Sequence, residues 1–229
     1  MNRIAEVFRM QLRDKFSWLL LPWIILGSSF AVNLLIAASQ PDTLVTGGLT
    51  SIFIYYFVIG IVVPAQTFPF ALGMGIRRID YFAGTSLVSV AIGALMTVLL
   101  LILSALENSW LASWGVGLSF FDVPFFSDGP IAMRGATYLA LFLLMFFSGF
   151  AIACVYRKFG RAGMYALIVL GIVVTAFTPM LISYYDLWDE IGRWVEANIH
   201  SLNDLTPWAM LFSALLALVS FGLLRRSTV

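Results

Sequence analysis

The sequence predicts an all-α integral membrane protein with six transmembrane helices, and three observations carry that prediction. Of 229 residues, 61% are hydrophobic and only 11% are charged, less than half the charged share of an ordinary soluble domain, about 25%. The mean hydropathy is +0.97. The apolar residues fall into six uninterrupted runs of about 20, the length that crosses a hydrocarbon core roughly 30 Å thick. These runs are continuous rather than alternating, as in Gly171-Ile-Val-Val-Thr-Ala-Phe177. They read as helices that satisfy their own backbone in lipid, not as strands of a barrel. The same composition excludes a disordered chain, a disulfide framework (Cys154 is the single cysteine) and a nucleic-acid binder with a basic face.

In chain order, residues 1–15 read as a short amphipathic helix. Ile4, Val7, Phe8 and Leu12 share one face, and Arg3, Glu6, Arg9 and Arg13 another, the pattern of a helix lying along the inner membrane surface. Ile4, Phe8, Arg9, Leu12 and Arg13 are its candidate contacts to that interface or to a cytosolic partner. Span one, 16–38, is too long for the apolar core of a signal peptide, about 7 to 15 residues, and reads as retained. Span two, 49–70, ends in Phe68-Pro69-Phe70, and the short polar segment 71–80 leads to span three, 81–105.

An outer segment, 107–134, holds Trp110, Trp114, Phe120, Phe121, Phe125 and Phe126, which places it at the membrane interface, where amphipathic rings are favoured. Spans four, 135–156, and five, 163–183, are separated by Arg157, Lys158 and Arg161. In the second outer segment, 184–204, Leu187, Trp188, Ile191, Trp194 and Val195 recur at helical spacing opposite Asp186, Asp189, Glu190, Arg193 and Glu196. That helix reads as interfacial, or as an outer gate formed by Leu187, Trp188, Ile191 and Trp194. Span six, 205–224, is followed by Arg225 and Arg226. Residues 1–229 thus form a single transmembrane domain.

Orientation follows from the lysines and arginines. Eleven of the 13 basic residues flank the spans on one side, with Arg134 and Arg193 on the other, and nine of the 12 acids lie opposite the basic side. The two sides carry +8 and −7. The positive-inside rule puts both termini in the cytoplasm.

A search for chemistry returns few groups. No Asp, Glu, Lys, Arg or His lies inside the six spans, although intramembrane charges are the usual mark of ion coupling or catalysis. His200 has no second His or Cys beside it, so no metal set is evident. A phosphate-binding loop needs GxxxxGK[ST], and both lysines, Lys15 and Lys158, are followed by Phe. Asn33 and Gln66 are the prominent polar residues within spans, serving as interhelical glue or as substrate contacts. The outer acids Asp186, Asp189 and Glu190 have no paired base or nucleophile and read as the solvated side of a helix.

The basic N-terminus, the six spans and above all Thr67-Phe-Pro-Phe-Ala-Leu-Gly-Met-Gly-Ile-Arg-Arg-Ile-Asp-Tyr-Phe-Ala-Gly-Thr85 resemble the permease subunit of an ABC-2 type ABC transporter, of the small bacterial kind. The resemblance implies a chain that binds no cofactor and is not an enzyme by itself. ATP and Mg would be held by a separate ABC ATPase, two copies of which would work with two permeases, the second being the same chain. It implies a coupling helix between spans two and three. Gly73, Gly75, Ile76, Arg77, Arg78, Ile79, Asp80 and Tyr81 would make the ATPase contact, with Ile76 and Ile79 filling a groove of the ATPase. It further implies a path between two permeases, lined by spans two and five. Phe53, Tyr55, Tyr56 and Phe57, with Asn33 and Gln66, are candidates to line it, which would suit an amphiphilic peptide, a lipid-like molecule or a hydrophobic drug. The expected location is the cytoplasmic membrane of a bacterium, in contact with membrane lipid and not with nucleic acid.

Two other classes compete. A substrate-binding membrane subunit of a vitamin importer would also be a six-span chain lacking a phosphate loop, with its coupling in small residues of span one. A lipid-modifying membrane enzyme would need a polar catalytic constellation at one face.

Overall fold

A computed structural model describes residues 3–40, 43–109, 113–122, 129–199 and 201–225; Trp110, Phe125, Phe126, His200 and Arg226 lie outside the described residues. The described residues form mainly helices, five of which are long and apolar enough to cross a membrane. Helix α1 spans Arg3–Arg13. A π-helical turn, Phe16–Leu20, leads into α2, Leu21–Ala38. Then follow α3, Thr50–Gly73, and α4, Arg78–Ser109. Helix α5, Ile131–Tyr184, is interrupted once, and α6, Trp188–Asn198, and α7, Thr206–Arg225, close the chain. Two-residue strands Leu44–Val45 and Leu118–Ser119 pair in parallel between the two outer loops.

The core lies where α3, α4 and the first half of α5 meet. Helix α4 buries one stripe, Tyr81, Thr85, Val88, Ile92, Met96, Leu100, Ser104 and Glu107, at the three- and four-residue spacing of a single helical face. Helices α3 and α5 approach at two glycines. A Cβ on Gly60 would run into the Phe146 carbonyl oxygen, and one on Gly149 into that of Phe57. Small residues are what permit such backbone contact between membrane helices. Around this seam pack Phe53 and Phe142 (ring centroids 4.7 Å apart), Tyr56 and Phe142 (4.9 Å), and Trp18 and Phe146 (5.9 Å). By contrast, α2 buries little beyond Pro22, Leu26 and Ala37.

Spans four and five are joined differently from expectation. Helical hydrogen bonding runs through the basic segment, and the break is one residue, Gly160, at φ 61° and ψ −149°. That conformation is open essentially only to glycine. The half before it carries all of the buried residues of α5, from Thr137 to Cys154. No residue from 161 to 184 is buried, with Leu170 63% and Tyr184 78% exposed. Among the described residues, the second half of α5 contributes nothing to the buried core.

Candidate functional site

The described residues group their polar chemistry at the two ends of the bundle. At the basic end, α3 carries two internal prolines, Pro64 and Pro69. A proline has no N–H, so Pro69 leaves the carbonyl of Ala65, one turn earlier, without its helical donor. Arg157 supplies the replacement, donating from Nη2 to Ala65 O at 2.8 Å while its guanidinium lies 5.0 Å from the centre of the Phe68 ring. Helix α3 then stops in a Schellman turn, with Gly75 N donating to Leu72 O (2.9 Å) and Ile76 N to Ala71 O (3.1 Å). Gly75 takes the left-handed conformation such a cap requires, φ 76°.

Segment 71–80 therefore contains no separate coupling helix. Its first residues complete α3, and Arg78, Ile79, Asp80 and Tyr81 form the first turn of α4. Ile76, expected to reach into a partner, is buried here at 7% exposure as the apolar clasp of the Schellman turn. Ile79 is free at 53%, and Gly73 and Arg77 are also exposed. Arg78 donates to the Arg225 carbonyl oxygen at 3.1 Å, and Tyr81 is fully buried with its hydroxyl 2.7 Å from Thr67 Oγ1.

Helix α1 packs against the start of α4. Val7 is fully buried, and a Cβ on Gly84 would come within 2.6 Å of the Val7 Cβ. Ile4, Phe8 and Leu12 are half-buried on this side, while Arg9 and Arg13 are exposed. Gln11 is buried and donates to Thr67 Oγ1 (3.1 Å) and Thr85 Oγ1 (3.2 Å). One side chain thus ties α1, α3 and α4. Glu6, Arg9, Met10 and Arg13 of α1 face Phe70, Met74 and Ile76 across a groove of about 530 Å³. Arg3 reaches the Gly75 carbonyl oxygen at 3.5 Å. Among the described residues, no carboxylate pairs with Arg3, Arg9, Arg13, Arg77 or Arg78.

Removing the Gln11 bonds should free α1 without unfolding the bundle. For Gln11→Leu we expect a stability loss of about 1 to 2 kcal/mol, since interhelical hydrogen bonds in membranes are worth about 1 kcal/mol each. Protease cleavage within residues 3–13 should become faster while the rest stays protected; limited proteolysis with mass spectrometry checks both.

At the opposite end, the described part of the outer segment, residues 113–122, packs onto the bundle. Leu118, Phe120 and Phe121 are buried in the bundle. Phe30 stacks edge-on to Trp114 (4.8 Å) and Phe120 (5.2 Å), and a Cβ on Gly48 would strike the Phe120 ring. The fastening is Glu107, read from sequence as an outer-segment acid and found fully buried near the end of α4. Its carboxylate accepts from Trp114 Nε1 (2.9 Å), Phe120 N (2.9 Å), Phe121 N (2.9 Å) and Asp122 N (3.3 Å). Asp122 in turn pairs with Arg134 at 3.5 Å. Thr137 donates to Asn203 Oδ1 at 2.6 Å, tying the loop before α7 to α5.

The candidate path residues divide. Tyr56 is fully buried and donates to Ser89 O at 2.8 Å, and Phe53 is buried against Tyr138 and Phe142. Both side chains fill the core of this chain. Tyr55 donates to Ser17 O (2.7 Å), and Asn33 bonds the Ser29 carbonyl of its own helix (2.8 Å). Gln66 lines a small cavity of about 240 Å³ with Asp14, Tyr55 and Thr67. The candidate gate residues Leu187, Trp188, Ile191 and Trp194 lie on or beside α6, which is amphipathic as expected but buries none of them. No group of three His, Cys, Asp or Glu among the described residues could hold a metal ion. No family model, curated protein or solved structure matches this chain.

Proposed function

We propose that this chain is the permease subunit of an ATP-driven ABC exporter of the ABC-2 type. It would cross a bacterial cytoplasmic membrane six times with both termini inside, and export an amphiphilic peptide or a hydrophobic small molecule. The supporting observation is the composite surface at one end of the bundle. Contacts of Arg3 with Gly75, Arg78 with Arg225, and Arg157 with Ala65 gather four basic segments, distant in sequence, onto one face. Beside them, the groove between α1 and the α3 turn is walled by apolar side chains and rimmed by Glu6 and by Arg9 and Arg13, which pair with no described carboxylate. A soluble partner with an acidic and apolar ridge fits such a surface.

The six crossings follow from length. An unbroken helix of 54 residues would extend about 80 Å at 1.5 Å per residue, far more than the roughly 30 Å of hydrocarbon. Gly160, between Lys158 and Arg161, is the turn between spans four and five in this reading. The exposed apolar residues from 161 to 184 face lipid and the second permease. ATP and Mg remain with the ATPase, whose closure would pull on α3 and α4 through the turn at Gly75, shifting a two-state packing of the bundle.

Reconstitution with the ATPase tests the reading. Arg77→Glu combined with Ile79→Asp alters two exposed side chains on the turn. The expected result is normal membrane insertion, with substrate-stimulated ATP hydrolysis lost by at least about tenfold, the equivalent of 1.4 kcal/mol in binding. Unchanged stimulation in vesicles would sink the coupling assignment.

A further inference from the structure

A second groove, of about 580 Å³, opens between α3 and α5 at the Gly160 break. Its walls are Ile61 and Ala65 of α3 with Ile152, Ala153, Tyr156 and Met164 of α5, and Arg157 is its one charged lining residue. Arg157 is held by the Ala65 carbonyl and the Phe68 ring. Nη2 is taken by the Ala65 carbonyl, Nε is buried with no acceptor, and no described carboxylate pairs with the guanidinium. Lys158 and Arg161 stand beside it, the Lys158 ammonium resting 4.9 Å from the Phe159 ring centre, and no acid lies between 135 and 185. The groove therefore combines apolar walls with a cation that no described carboxylate neutralises.

We infer that this groove is a binding site for an anionic glycerophospholipid, with its phosphate on Arg157 and one acyl chain along Ile61, Ile152 and Met164. Arginine presents a planar fork of donors that matches phosphate oxygens, and it is less strongly hydrated than lysine. Basic pockets between membrane helices on the positively charged side recognise lipid headgroups by this chemistry. A free anion would leave the apolar walls unfilled. A zwitterionic lipid would bring its own ammonium toward the arginine. The inference depends on the chain lying in a membrane and is independent of the transport reading.

Native mass spectrometry of the purified, delipidated full chain tests it, with short-chain phosphatidylglycerol as the probe and phosphatidylcholine and inorganic phosphate as comparisons. The expected result is one phosphatidylglycerol retained per chain, in preference to phosphatidylcholine, and not displaced by millimolar phosphate. Arg157→Gln should weaken retention by at least about tenfold, as expected for a lost charge-assisted hydrogen bond, while Arg193→Gln on α6 leaves it unchanged. Because Arg157 also completes α3, Met164→Trp, which fills the groove and spares the arginine, should weaken retention as well and decides alone if Arg157→Gln does not fold. Equal retention of the two lipids, or retention unaffected by Met164→Trp, overturns the lipid site. Displacement by inorganic phosphate also overturns it, making Arg157 a free-phosphate site.

Discussion

Replacing Glu107 with alanine should cost about 4 kcal/mol of stability and release the outer loop. The carboxylate is fully buried and accepts four hydrogen bonds, from the amides of Phe120, Phe121 and Asp122 and the indole of Trp114. Truncation leaves the two buried amides at Phe120 and Phe121 without an acceptor, each at about 1 to 3 kcal/mol. Glutamine is the informative second substitution. It keeps one carbonyl oxygen but turns an NH2 toward groups that are themselves donors, so about half of the loss should remain. Thermal unfolding in one detergent ranks the variants, and hydrogen exchange should show residues 113–122 opening before the helices. Wild-type protection of that loop in Glu107→Ala would contradict the clamp.

Loss of this clamp would act on the bundle as well as on the loop. Phe120 and Phe121 stack on Phe30 of α2, and α2 buries few other residues. The outer loop is thus a principal attachment of α2 at that end, and Glu107→Ala should loosen α2 before α3, α4 and α5 separate.

The helices and their approximate limits were legible in the sequence because membrane crossing depends on a coarse quantity, the length of an apolar run. The helix at 50–73 was expected at 49–70, and that at 206–225 at 205–224. Pairings between side chains were less legible. Glu107 falls three residues after Ser104 on the stripe that α4 buries, a continuation that periodicity could have shown. In sequence it reads instead as the start of an interfacial outer segment. The partner of Arg157 had a signal too, since Pro69 guarantees an unsatisfied carbonyl at Ala65, but nothing local says which distant donor arrives. Tyr56 was a path candidate because the resemblance lines the path with span two. Only the fold shows that its hydroxyl is used on Ser89 O. At the basic end, the arginines declared the end of the bundle they occupy, whereas the packing of Val7 on Gly84 required knowing that α1 folds back onto α4.

Gly149→Leu should disrupt the molecule more than any surface change. On the α3–α5 seam the side chain would have to displace backbone, because the Phe57 carbonyl oxygen occupies the space a Cβ needs and the Ile61 amide lies 3.1 Å away. Gly60 meets Phe146 O in the same manner from the other helix, so neither helix can yield by rotating. Separating them would also part the rings of Tyr56, Phe142 and Phe146. Overpacking ordinarily costs about 1 to 3 kcal/mol, and with backbone on both sides we expect the upper end or failure to fold. Gly171→Leu and Gly222→Leu are the matched controls, since an added Cβ there meets nothing within 4 Å. In a helix, leucine is favoured over glycine by somewhat under 1 kcal/mol, so both should be neutral or slightly stabilising in the same detergent. If Gly149→Leu melted with those controls, α3 and α5 would not be in backbone contact. A displacement at the Gly75 turn would then have no rigid seam through which to reach the outer end.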